Sequence, residues 1–196
     1  MGGTPDSWHG WLAAGALWTM LTAAGWAAGF FLAPRISLFA ISTVGPALGQ
    51  DAGRAAGWVV LGAVAGAVAA GSQSIVLRNW VTGVKWWIIA TAVGWALATG
   101  WLVGWINIGA IVGGIIGLGQ WLILRRWVHR ARWWLLGSAV AWTAAQASEL
   151  LLPFTADVLP VTIAGSVYGA ITSLVLIVLF SRSDALAAHQ NPAYSE

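Results

Sequence analysis

Two stretches of this chain, 47 residues apart, read as the same helical hairpin. Gly62 and Gly66 fall on Gly109 and Gly113, Gln73 on Gln120, Leu77 on Leu124 and Arg78 on Arg125 (109 − 62 = 47). The match continues into the next segment, where Trp86-Trp87 fall on Trp133-Trp134 and Trp95 on Trp142. A repeat of this length is a supersecondary unit that cannot bury its apolar face alone, so its copies must stack on one another. Weaker copies flank the two. Gly25-Trp26 match Gly94-Trp95 at an offset of 69 (94 − 25), which brings Trp18 onto Trp87. Gly165/Gly169 match Gly62/Gly66 at an offset of 103 (165 − 62), with Leu176 at the glutamine position. The chain therefore reads as three copies of one unit, a helix with a central Trp followed by a helix with a small-xxx-small face.

Composition gives the solvent for that unit. Hydrophobic residues make up 59% of the 196 residues and charged residues 8%. Soluble domains run at about 45–50% and about 25%, so an ordinary soluble enzyme and a disordered tail are both excluded. A membrane-crossing helix needs about 20 apolar residues. Six stretches qualify, roughly 12–33, 55–77, 86–105, 108–124, 133–151 and 161–180. The expected fold is an all-α six-span transmembrane bundle of three tandem hairpins with pseudo-threefold symmetry, a single integral membrane domain with a C-terminal tail over 181–196. All six prolines fall outside these spans. The link around Asn107 is very short and forces a tight hairpin.

Charge placement orients the bundle. Arg78, Lys85, Arg125, Arg126, Arg130, Arg132 and Arg182 fall on the side of the termini, and only Arg35 and Arg54 on the other. Bases in short loops mark the cytoplasmic face, so both termini are expected there. The N-terminal segment has Asp6 and no base before Arg35, the reverse of a basic secretory signal. Residues 36–50, with Gly45 and Pro46, are short for a span and are read as an outer loop at the interface or re-entering.

The repeat has a physical logic. Small residues let helix backbones approach closely in lipid, which gives Gly62, Gly66, Gly109, Gly113, Gly165 and Gly169 an interhelical role. Gln73 and Gln120 are expected to hydrogen-bond to a neighbouring helix. Departures from the repeat are candidates for function. Trp26 to Gly62 spans 36 positions, Trp95 to Gly109 14 and Trp142 to Gly165 23, so the outer connections of the first and third hairpins gain 22 and 9 residues. Glu149 has the equivalents Leu102 and Ala33, and Gln146, one turn earlier, has Thr99 and Phe30. An ionisable residue near a span is a functional candidate. With Asp157, Asp51, Arg54 and Arg35 these residues could line a polar outer vestibule, or Glu149 could simply pair with Arg54 or Arg35 at the headgroup boundary.

There are 16 tryptophans. Trp8, Trp11, Trp80, Trp86, Trp87, Trp127, Trp133 and Trp134 are expected in a cytoplasmic aromatic belt, and Trp58, Trp101 and Trp105 in an outer one. Trp26, Trp95, Trp142 and Trp121 lie deeper, either packing on the facing glycines or lining a site for a bound lipid, quinone or carotenoid. No cofactor is otherwise evident. The chain has no cysteine, and His9, His129 and His189 lie in cytoplasmic segments or tails, so no metal or haem site is expected. No Ser/His/Asp set falls within one site, and no catalytic residue is assigned. The glycine run over 113–119 has no preceding strand and is no dinucleotide fingerprint. The basic stretch from Arg125 to Arg132, interleaved with Trp127, suits anionic lipid headgroups better than nucleic acid.

The segments Gln120-Trp121-Leu122-Ile123-Leu124-Arg125-Arg126 and Ala131-Arg132-Trp133-Trp134 resemble a Trp-rich hairpin repeat of uncharacterised bacterial multi-pass membrane proteins. The similarity covers residues 58–142, and the first copy departs from it with Ser74 after the glutamine. The resemblance implies a bacterial integral membrane protein and no particular reaction; the expected location is the inner membrane. The expectation is a non-enzymatic accessory or scaffold subunit that binds other membrane subunits, an apolar ligand or lipid. The alternative is a small transporter or channel with the outer vestibule around Glu149.

Overall fold

A computed structural model describes residues 7–102, 109–151 and 158–190. Asp157, Asn107 and Trp105 lie outside them, as do the side chains of Trp101, Arg182 and His189. The described residues form six helices and no strand. In chain order these are α1 (Trp8–Leu48), α2 (Gln50–Leu77), α3 (Val84–Leu102), α4 (Gly109–Leu124), α5 (Trp133–Leu150) and α6 (Leu159–Gln190). Every helix packs against its neighbours in sequence, and α6 packs against α1, so the six form a closed ring. Trp8–Leu48, Gln50–Leu77 and Leu159–Ser181 are long and apolar enough to cross a membrane, and Gly109–Leu124 is a shorter apolar helix. Ser7 starts α1, its Oγ accepting from the Gly10 N–H at 3.2 Å.

The expected outer loop over residues 36–50 is helical instead. It continues α1 through Pro34 and Pro46, and the chain turns only at Gly49, whose φ of 97° is left-handed backbone that suits glycine. The prolines are therefore not all outside the helices. Packing along α2 outweighs the cost of about 3 kcal/mol for each interior proline. Ser37 Oγ donates to the Gly57 carbonyl at 2.9 Å. Further out, a Cβ on Gly53 would lie 2.8 Å from the Gly45 Cα. Gly45, read as a turn residue, is a contact surface. The 22-residue excess of the first hairpin thus lengthens two zipped helices into an arm. At about 1.5 Å per residue, α1 is about 62 Å long.

Each Trp-Trp pair also divides. Consecutive helical residues point about 100° apart, so Trp86 and Trp133 are exposed while Trp87 and Trp134 are buried. Trp11 is buried as well. Trp11, Trp87 and Trp134 therefore belong to the interior and not to the expected aromatic belt.

Candidate functional site

The interior of the ring carries a continuous polar belt. Gln73 Nε2 on α2 donates to Thr22 Oγ1 on α1 at 3.2 Å, and Gln73 Oε1 accepts from Trp87 Nε1 on α3 at 3.1 Å. Gln120 repeats the pattern one hairpin later, donating to Thr91 Oγ1 on α3 at 3.0 Å and accepting from Trp134 Nε1 on α5 at 3.0 Å. Trp18 Nε1 on α1 donates to Thr172 Oγ1 on α6 at 3.0 Å. The last seam joins Tyr168 and Ser138, whose oxygens are 3.4 Å apart. Ser138 spends its one proton on the Gly113 carbonyl at 2.9 Å, so the Tyr168 hydroxyl is the donor. Each helix thus donates to the one before it, and α1 closes the circuit onto α6. All these side chains are buried. Interhelical bonds of this kind are worth about 0.6–1.7 kcal/mol each in lipid.

The contacts correct the sequence register of the last helix by one turn. A Cβ on Gly66 would meet the Trp95 Cβ at 2.8 Å, and one on Gly113 the Trp142 Cβ at 2.8 Å. On α6 the glycine in this position is Gly165, at 3.0 Å from the Trp26 Cβ. Gly169 sits further along, 2.9 Å from the Thr19 Cα. The offset from α2 to α6 is therefore 99 (165 − 66), not 103, and Thr172 stands in for Gln73 (172 − 73 = 99). Leu176 falls on Leu77 and Leu124, and all three are buried. Threonine is too short to bridge both seams as glutamine does. Its hydroxyl accepts from Trp18 and donates to the Tyr168 carbonyl at 2.7 Å, and Tyr168 supplies the bond to α5. Gly62 and Gly109 lie one turn outward, against Thr99 and Gln146 respectively. In this register the outer connection of the third hairpin gains 5 residues, because Trp142 to Gly165 is 23 positions and Trp95 to Gly113 is 18.

Outward of the belt, Trp26, Trp95 and Trp142 converge on one another. Their ring centroids are 4.9, 5.0 and 5.2 Å apart, and Tyr168 joins at 5.4 Å from Trp26. Indoles therefore occupy the centre of the ring. The Trp142 Nε1 is buried without an acceptor among the described residues. Trp121 does not join them. It packs on the cluster around Trp87, with the Arg125 guanidinium 5.4 Å from its ring centroid.

The outer polar residues fall in two places. Asp51 and Arg54 form an exposed pair at 4.0 Å on the arm. Glu149 is exposed near the end of α5, and Gln146 on the same helix lies against Gly109. Among the described helices α5 packs only on α4 and α6, so its residues are not packed on the arm. Arg35 donates to the Phe31 carbonyl in its own helix and stacks over the Phe31 ring at 4.0 Å. Glu149 makes no ion pair among the described residues, with Arg35, Arg54 or otherwise. No group of three or more His, Asp or Glu that could hold a metal gathers among them either. The two glutamines stand out in the sequence, but their bonds to Trp87, Trp134, Thr22 and Thr91 do not, nor do those of Trp18, Ser138 and Thr172. The same offsets align Trp18/Trp87/Trp134 and Thr22/Thr91/Ser138, so that signal was present. No protein-family model, curated protein or solved structure matches the chain.

Proposed function

We propose that all six helices cross a bacterial inner membrane with both termini cytoplasmic, as three hairpins related by a pseudo-threefold axis. In this reading the protein is a non-enzymatic accessory or scaffold subunit that works through its outer surfaces. The observation that carries it is the closed belt beneath the Trp26–Trp95–Trp142 cluster. A conducting pathway needs hydrated polar groups along the bundle axis, whereas here the axial position is taken by packed indoles and the polar groups of the belt are spent on one another. The transporter alternative needs a vestibule that joins Glu149 to Asp51 and Arg54, and these residues stand on helices that do not pack together. The arm gives the scaffold reading its docking element. At about 62 Å, α1 is about twice the length needed for a hydrocarbon core of about 30 Å, and Leu38, Phe39 and Leu48 on the arm are exposed.

Deleting residues 36–57 shortens the first hairpin to the length of the second, since 36 − 22 = 14 positions then separate Trp26 from Gly62. In mild detergent the intact chain should purify with a stoichiometric companion subunit. The shortened chain should melt as cooperatively and purify alone. An intact chain that repeatedly purifies as the bare protein, or a shortened one that keeps its companion, would contradict the reading.

A further inference from the structure

We propose that the loop between α4 and α5, residues 125–132, is a binding site for the headgroup of an anionic phospholipid. The proposal rests on the membrane-spanning reading, with this loop at the cytoplasmic face. A sibling loop between α2 and α3, residues 78–83, follows the same backbone path. Arg78, Trp80 and Val81 donate backbone N–H bonds to the carbonyls of Ser74, Leu77 and Leu77, and Arg125, Trp127 and Val128 donate to those of Trp121, Leu124 and Leu124. Trp86 N–H bonds the Gly83 carbonyl at 2.9 Å, and Trp133 N–H the Arg130 carbonyl at 3.1 Å. Val81 and Val128 are the buried anchors of the two loops.

On this shared backbone the sibling shows what the turn alone requires. Asn79, Thr82 and Gly83 become Arg126, His129 and Arg130 (126 − 79 = 47). The last exchange works against local conformation. Gly83 has φ 77°, and Arg130 has φ 67° at the same position. Glycine adopts this left-handed backbone freely, and other L residues only at a cost. The turn therefore gains nothing from an arginine here. The four arginines 125, 126, 130 and 132 are all exposed, and none forms an ion pair among the described residues.

The tryptophans diverge as well. Trp80 packs on Trp11 and Phe180 at 5.6 and 5.3 Å, whereas Trp127 is 43% exposed. Guanidinium forks match phosphate geometry, and indoles favour the headgroup level of a membrane. Arg125 is already held by Trp121 near that level. Four exposed guanidiniums that form no ion pair among the described residues, beside an exposed indole, fit a lipid phosphate at the interface better than a free anion in water.

Grafting the sibling's residues tests this without disturbing the turn. The variant Arg126→Asn, His129→Thr, Arg130→Gly should melt no lower than the wild type, because the sibling holds the same backbone with those residues. In native mass spectrometry of the full chain its retention of phosphatidylglycerol should fall about thirtyfold, from the loss of two arginines near the membrane surface. Retention of phosphatidylcholine should not change. The reciprocal variant Asn79→Arg, Thr82→His, Gly83→Arg should gain phosphatidylglycerol. Inorganic phosphate should not displace the lipid. Equal phosphatidylglycerol retention by graft and wild type, displacement by inorganic phosphate, or equal retention of both lipids by the wild type would overturn the site. A wild-type chain that retains neither lipid would overturn the membrane reading as well.

Discussion

Gly113→Ala should destabilise the protein by about 2–3 kcal/mol, while Gly114→Ala, one residue on, should be neutral or stabilising by up to about 1 kcal/mol. The two glycines share a helix and a depth and differ in what they face. A methyl on Gly113 would lie 2.5 Å from the Ser138 carbonyl oxygen, 2.8 Å from the Trp142 Cβ and 2.9 Å from the Ala139 Cα. These are backbone or near-backbone atoms of α5, so the seam must open for the methyl to enter. Opening it also pulls Ser138 from the Gly113 carbonyl and Trp134 from Gln120. Gly114 has nothing within 4 Å of a Cβ, so there only helix propensity changes. Reversible unfolding in mixed micelles, followed by tryptophan fluorescence, reads the difference directly. Equal stabilities for the two variants would mean that α4 and α5 do not meet along this face.

Gln120→Leu is the second large effect. The change keeps the approximate volume but removes both ends of a bridge, leaving Trp134 Nε1 and Thr91 Oγ1 buried without partners. Each orphaned group costs about 1–3 kcal/mol in a protein interior, and bilayer measurements place such bonds near the lower end. A loss of about 2–3 kcal/mol is expected, together with a weakened near-UV circular dichroism signal as Trp134 loses its fixed orientation. The companion variant Leu176→Gln separates the two registers of α6. In the sequence alignment it would complete a third glutamine bridge and stabilise the protein. In the observed register it puts an amide into the apolar layer of Leu77 and Leu124, where Leu176 is 2% exposed, so it should destabilise. A stabilised Leu176→Gln variant would refute the register of α6.

Six helices and their order were legible because the apolar runs and the 47-residue repeat carry them directly. Two features of the first hairpin were not. Gly45 and Pro46 look like a turn, since proline lacks the N–H an interior turn needs, yet a long partner of small residues keeps α1 helical to Leu48. The excess residues were assigned to a loop because spacing alone gives a length and no conformation. The register of α6 failed for a related reason. A small-xxx-small face repeats every four residues, so a match through Gly165 and Gly169 can slip by one turn and still look sound. Only side chains of fixed reach settle it, and Trp18 and Thr172 do so. For the candidate site, the glutamines stood out as polar residues in apolar helices. Their bonds did not, because the repeat aligns Trp87 with Trp134 without saying what an indole N–H meets, and threonine is unremarkable in such helices. Tyr168 was invisible, since it replaces a glutamine bridge from a different turn.

Disulfide trapping on α6 tests ring closure most directly, and the chain has no native cysteine to interfere. Ser173 and Val175 point to opposite neighbours. A Cβ on Gly15 of α1 would be 3.7 Å from the Ser173 Cβ, and one on Gly137 of α5 would be 3.4 Å from the Val175 Cβ. Both distances lie near the range of about 3.5–4.5 Å for disulfides. In oxidised membranes the pairs Gly15→Cys/Ser173→Cys and Gly137→Cys/Val175→Cys should therefore cross-link. The exchanged pairs, Gly15→Cys/Val175→Cys and Gly137→Cys/Ser173→Cys, should stay reduced. Trapping on the α5 side alone, or exchanged pairs that oxidise as readily, would show that α6 does not close the ring on α1.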